Sequence, residues 1–139
     1  MKKAADQDDK VISKTTWQDA EDIRWAVRNW AARIGVKPAR VQIRPMKTKW
    51  ASITTTGGMT FDTDLLKLPK ELGEFVIVHE LVHLLVPNHG RVFKSFMQAY
   101  IPEWELLETQ LQTYANKELN GKVPRHTNSN SKKKLKQQL

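Results

Sequence analysis

From Ala20 onward apolar residues recur at three- and four-residue steps: Ala20, Ile23, Val27, Trp30, Ala31 and Ile34 draw one stripe along a helix. Thr16 with Asp19 three residues on matches a capping box, and Gly35 stands where a C-terminal cap falls. The spacing predicts a first helix of about five turns. The pattern then changes to short runs of β-branched and aromatic residues around Gly57 and Gly58, which predicts strands near 41–44, 49–54 and 59–62, the last two as a hairpin. After Pro69 a nearly continuous apolar run predicts a second helix over about 70–86, ended by Pro87. Val92, Phe93, Phe96, Met97 and Tyr100 give a third helix from Arg91 to Tyr100 its apolar face. Pro102 opens a fourth, striped by Trp104, Leu107, Leu111 and Tyr114, with Gly121 as its stop. Helices and a short sheet in this order predict a small α+β domain over residues 15–120, preceded by a flexible N-terminus (1–14) and followed by a disordered basic tail (121–139).

The second helix breaks its own apolar pattern at His79, Glu80 and His83, and a third histidine, His89, follows just after Pro87 and Asn88. Residues four apart share a helix face, so His79 and His83 can turn two ring nitrogens to one point, at about 2.0–2.1 Å from a zinc ion. Glu80 is rotated by about 100° and can stand beside such a metal without ligating it. A continuing helix would carry a residue six positions after His83 away from the metal, whereas Pro87, Asn88 and Gly90 allow the chain to turn back. The motif H-E-x-x-H-x5-H thus predicts zinc on His79, His83 and His89, with Glu80 as general base. The competing third ligand is Glu103, twenty residues after His83. The plainer alternative, core histidines bonded to backbone carbonyls, requires several unrelated partners for buried polar groups that each cost a few kcal/mol. One metal satisfies them together.

Composition narrows the chemistry further. There is no cysteine among the 139 residues, which excludes disulfides, thiolate metal sites and a cysteine nucleophile. The N-terminus lacks the apolar stretch of a secretory signal, and the longest apolar run falls short of the roughly 20 residues that span a bilayer, so a soluble, cytoplasmic protein without membrane contact is expected. The net charge of +8 is a property of the tail: residues 11–120 hold 14 basic against 12 acidic residues, while residues 121–139 hold six basic residues and no acid. Nucleic-acid contact through that tail is one consequence; a solvated end, with His126 uninvolved, is the other.

The stretches "RPMKTKWASITTTGGMTFDTDLL", "FVIVHELVHLLVPNHGRVFKSF" and "IPEWELLETQL" resemble the YgjP-like metallopeptidase domain, a group of zincin-type hydrolases related to SprT-like and WLM domains. The resemblance covers about residues 41–111 and implies a zincin-like fold, one zinc ion on His79, His83 and His89, and Glu80 as catalytic acid/base. Ala51 and Lys94 depart from the family's usual residues, glycine and an aromatic, at positions around the site. The expected reaction is attack of a zinc-polarised water on a peptide carbonyl, with Ile53, Thr54, Met59 and Phe61 of the hairpin offering an edge to an extended substrate. Arg91, Tyr100 and Tyr114 have the chemistry of an oxyanion donor. The same metal and base do not fix the substrate, so hydrolysis of a nucleoside triphosphate, a nucleic-acid-recruited protease of SprT-like type, and an inactive metal-stabilised scaffold stand beside the peptidase.

Overall fold

Asp19, and not Thr16, starts the first helix. The computed structural model describes residues 15–118, with their side chains as far as residue 113. Helix α1 (Ala20–Ile34, 15 residues, about four turns) is capped by the Asp19 carboxylate, which accepts the Asp22 amide at 3.1 Å. Thr16 is drawn away by tertiary contacts: it forms an antiparallel bridge with Pro69, the Lys70 amide donates to the Thr15 carbonyl at 2.8 Å, and Trp17 is buried. At the far end Gly35 takes φ 90°, the left-handed conformation that glycine adopts without strain, and its amide closes on the Ala31 carbonyl.

Three strands follow: β1 (Arg40–Arg44), β2 (Ala51–Ile53) and β3 (Gly58–Asp62). β2 and β3 form the expected antiparallel hairpin, whose turn is held by the Gly58 amide donating to Thr54 Oγ1 at 2.9 Å. β1 pairs with β3 in parallel, so the order is β1-β3-β2. The central strand is therefore β3. Its backbone is paired on both sides and Met59 and Phe61 are buried, which removes the free edge expected at Met59–Phe61 and leaves β1 and β2 as the edges of the sheet. The loop between β1 and β2 is pinned at both ends: the buried carboxylate of Asp62 accepts the Met46 amide at 3.1 Å, and the Asp62 amide donates to the Trp50 carbonyl at 2.9 Å.

A 3-10 turn (Thr63–Lys67) leads into α2 (Lys70–Val82), followed by α3 (Arg91–Tyr100) and α4 (Trp104–Glu118). Leu72, Phe75, Val76, Ile77, Val78, Leu81 and Val82 are all buried, because α2 is packed against α1, α3, α4 and β2 at once. This explains why its sequence lacks one polar face. Phe93 and Met97 of α3 and Leu107 and Leu111 of α4 complete the core, whereas Val92, from the expected stripe of α3, is exposed. Among the described residues no helix is long and apolar enough to cross a membrane. The expected stop at Gly121, the N-terminal segment and the basic tail with His126 lie outside the described residues.

Candidate metal centre

Helix α2 ends at Val82, four residues short of the expected end. Beyond it the hydrogen bonds tighten to a three-residue step: His83 amide to Glu80 carbonyl (3.1 Å), Leu84 to Leu81 (3.0 Å) and Leu85 to Val82 (2.8 Å). This last turn brings His83 Nδ1 to 3.0 Å from the Val86 carbonyl. A carbonyl only accepts, so Nδ1 carries the proton and the neutral ring keeps its lone pair on Nε2. The chain then reverses through Pro87 and Asn88, whose Oδ1 accepts the Gly90 amide at 3.0 Å, and α3 begins at Arg91. The reversal returns His89 to the helix it has just left. His89 Nε2 lies 3.0 Å from His83 Nε2.

One ring nitrogen from each of His79, His83 and His89 lies within 4.8 Å of the other two. Nitrogen ligands of a tetrahedral zinc stand about 3.3 Å apart, so the His83–His89 pair already has that spacing within a few tenths of an ångström. His79 is buried, His83 is half-buried and His89 is exposed, which gives the cluster a closed side toward the core and an open side toward solvent. Phe93 forms its floor. Its ring centroid lies 5.0 Å from that of His79 and 4.8 Å from those of His83 and His89. Glu103, the alternative ligand, is exposed at the start of the last helical segment and takes no part in the cluster.

Glu80 is 1% exposed. Its Oε2 stands 3.5 Å from His79 Nδ1 without hydrogen-bond geometry and has no hydrogen-bond partner among the described residues. Burial raises the Glu80 pKa, against the lowering influence of His83, His89 and Lys49. Burial likewise lowers the His83 pKa to about 4, with the His79 charge acting in the same direction, and lowers that of His89. The lowered values of His83 and His89 favour neutral imidazoles, the form that binds metal. An orphaned buried carboxylate oxygen beside three converging imidazoles is a donor set that a divalent cation fits.

A cavity of about 290 Å³ opens over Glu80 and His83, walled by Lys49, by Ser52, Ile53, Thr54 and Thr55 of the hairpin, and by Pro87. Of the substrate residues expected from sequence, Ile53 and Thr54 line it. The Thr54 hydroxyl is also committed to the hairpin turn, through the Gly58 amide and Thr56 Oγ1. Met59 and Phe61 are buried in the core instead. Arg91 lines a separate groove on α3 with Lys94, Ser95 and Gln98. Tyr100 lies two turns, about 10 Å, beyond Phe93 and packs on Trp30 and Phe96, so it serves the core rather than the cavity. The Tyr114 side chain lies outside the described ones. Periodicity alone gives two residues of the site no role. Phe93, four residues after His89, reads there as a core position and Lys49 as a strand residue next to Trp50, although both stand in the stretches that carry the family resemblance.

Residues 2–114 match the family described as YgjP-like, metallopeptidase domain. The chain belongs to the YgjP-like metallopeptidase domain family. The match extends beyond residues 41–111, where the resembling stretches lie, and takes in α1. Among solved structures this metallopeptidase domain is similar to the metallopeptidase zymogen abylysin of Pyrococcus abyssi, with 24% identity and a TM-score of 0.62 over 68% of this chain and 95% of that one. It is also similar to the metallopeptidase zymogen jannalysin of Methanocaldococcus jannaschii, with 25% identity and a TM-score of 0.59 over 64% of this chain and 92% of that one. No curated protein matches. The fold is therefore zincin-like α+β, and the family implies a catalytic metal and peptide substrates.

Proposed function

We propose that the protein is a zinc-dependent peptidase in which His79, His83 and His89 hold one zinc ion and Glu80 is the general acid/base. The observation that carries this is the convergence of the three imidazoles beside a buried carboxylate, with that carboxylate and His83 lining a cavity bordered by an edge strand. Zinc held by these three residues would supply Lewis-acid chemistry, polarising the scissile carbonyl and lowering the pKa of an attacking water towards about 7. Glu80 takes the proton from that water and returns it to the leaving nitrogen. Its burial, which raises its pKa, suits a group that must both accept and give up a proton near neutral pH. His83, tied to the Val86 carbonyl through Nδ1, keeps the lone pair of its Nε2 on the side of His89, where it would be available to a metal ion. β2 has β3 on one side only, so the Ser52–Thr54 backbone can pair with an extended peptide and lay its carbonyl across the cavity.

Glu80→Gln tests the assignment. The wild type is expected to hold about one zinc per chain and to cleave a mixed peptide library, with nucleoside triphosphates as the control substrates. The variant should keep the zinc and lose at least about a hundredfold in rate. A variant as active as its parent, or cleavage of triphosphates in place of peptides, would sink the proposal.

A further inference from the structure

Lys49 is the only cation among the residues that line the cavity over Glu80 and His83. The remaining lining is Ile53, Pro87, the hydroxyls of Ser52, Thr54 and Thr55, and Glu80 itself, which is buried at the base. The Lys49 side chain is exposed and forms no salt bridge among the described residues. Its backbone, by contrast, is fixed. The following residue, Trp50, is fully buried and its carbonyl accepts the Asp62 amide at 2.9 Å, while three residues earlier the Met46 amide donates to the Asp62 carboxylate at 3.1 Å. An exposed ammonium on an anchored backbone, lining the cavity within electrostatic reach of the buried Glu80, is placed to meet a ligand rather than to support the fold.

We propose that Lys49 is a specificity-determining residue that selects peptides with an Asp or Glu side chain next to the scissile bond. The inference rests on the peptidase reading given above. A peptide paired along β2 runs past the residues that follow Lys49 in the chain, which places its flanking side chain beside the ammonium. A basic side chain there meets like charge, and repulsion contributes to selectivity as much as attraction does. The cavity offers no exposed carboxylate to welcome it.

The test uses the full zinc-loaded chain and three matched peptide series, with acidic, neutral or basic residues flanking the cleavage site. In the wild type kcat/KM should favour acidic over neutral peptides by about tenfold. Lys49→Ala should bring that ratio close to one, Lys49→Arg should retain it, and Lys49→Glu should invert it towards basic peptides. A second readout is independent of turnover: fluorescence anisotropy of the same peptides on Glu80→Gln, with and without Lys49→Glu, should give the same order of affinities. Cleavage without charge preference in the wild type, or a preference unchanged in Lys49→Ala and Lys49→Glu, overturns the role of Lys49 and leaves the peptidase standing. If no peptide of any charge is cleaved or bound, both fall.

Discussion

Gly73 lies within α2 where the Trp17 indole crosses the helix. A Cβ built at Gly73 would come within 2.5 Å of Trp17 Cζ2, 2.6 Å of Nε1 and 2.8 Å of Cε2. Carbon atoms in good contact stand about 3.5–4.0 Å apart, so Gly73→Ala forces the ring back by about 1 Å. Two effects compete. Alanine in a helix interior is worth about 1 kcal/mol over glycine. Overpacking a filled core costs about 1–3 kcal/mol, and here the displaced group is a large ring on a segment tethered by the Thr16–Pro69 bridge and the Lys70–Thr15 hydrogen bond. The clash should win, with a net loss of up to about 2 kcal/mol. For a domain of this size that is a fall in Tm of up to about 10 °C. Thermal and urea melts followed by circular dichroism would measure it. In a Trp17→Leu background the clash disappears, so Gly73→Ala should there be neutral or stabilising by up to about 1 kcal/mol, and the double-mutant cycle isolates the contact. A single Gly73→Ala variant more stable than its parent would refute the packing of Trp17 on the helix that carries the histidines.

Three further outcomes are expected. In metal-free protein the folded-state pKa of His83, about 4, lies below its ordinary 6.5, so the unfolded chain binds the extra proton between these values; stability should fall by up to about 3 kcal/mol as pH drops from 6.5 to 4. Urea melts in chelator would check this, with His83→Ala showing a shallower slope. Glu108 has its pKa raised, chiefly by burial and then by Glu105, so its charged form costs stability at neutral pH and the cost vanishes below its ordinary 4.5; Glu108→Gln should be more stable than wild type at pH 7 but not at pH 4, by the same melts. Phe93→Ala should lose about 3–5 kcal/mol of stability, and Phe93→Leu, which keeps the core filled but removes the ring beneath the three imidazoles, should weaken zinc binding by about tenfold or more in a chelator competition.

Local signals in the sequence locate several features correctly. The Gly35 cap, the hairpin around Gly57 and the span of α3 follow from turn chemistry and periodicity, and the 79–83 spacing brings together an imidazole of the last helical turn and that of the residue capping it. Long-range pairing is where patterning stops. Nothing local distinguishes Met59 and Phe61 on a central strand from the same residues on an edge, because the parallel partner Val41–Ile43 is set by the fold as a whole. The start of α1 moved for the same reason, since Thr16 finds Pro69 more than fifty residues away. Tyr100 carries a suitable hydroxyl but is held by Trp30 across the helix packing, a contact that its own neighbours in sequence do not encode. Lys49 and Phe93 gain their place at the site only from the elements that converge there.

The central claim is that three imidazoles, and no carboxylate, hold the metal. X-ray absorption at the zinc edge on the loaded full chain, with metal analysis of the same sample, measures this directly. The account predicts one zinc per chain with three histidine nitrogens at about 2.0–2.1 Å, and loss of one nitrogen in His89→Ala. Zinc that does not bind stoichiometrically, or a first shell unchanged by His89→Ala, would contradict it.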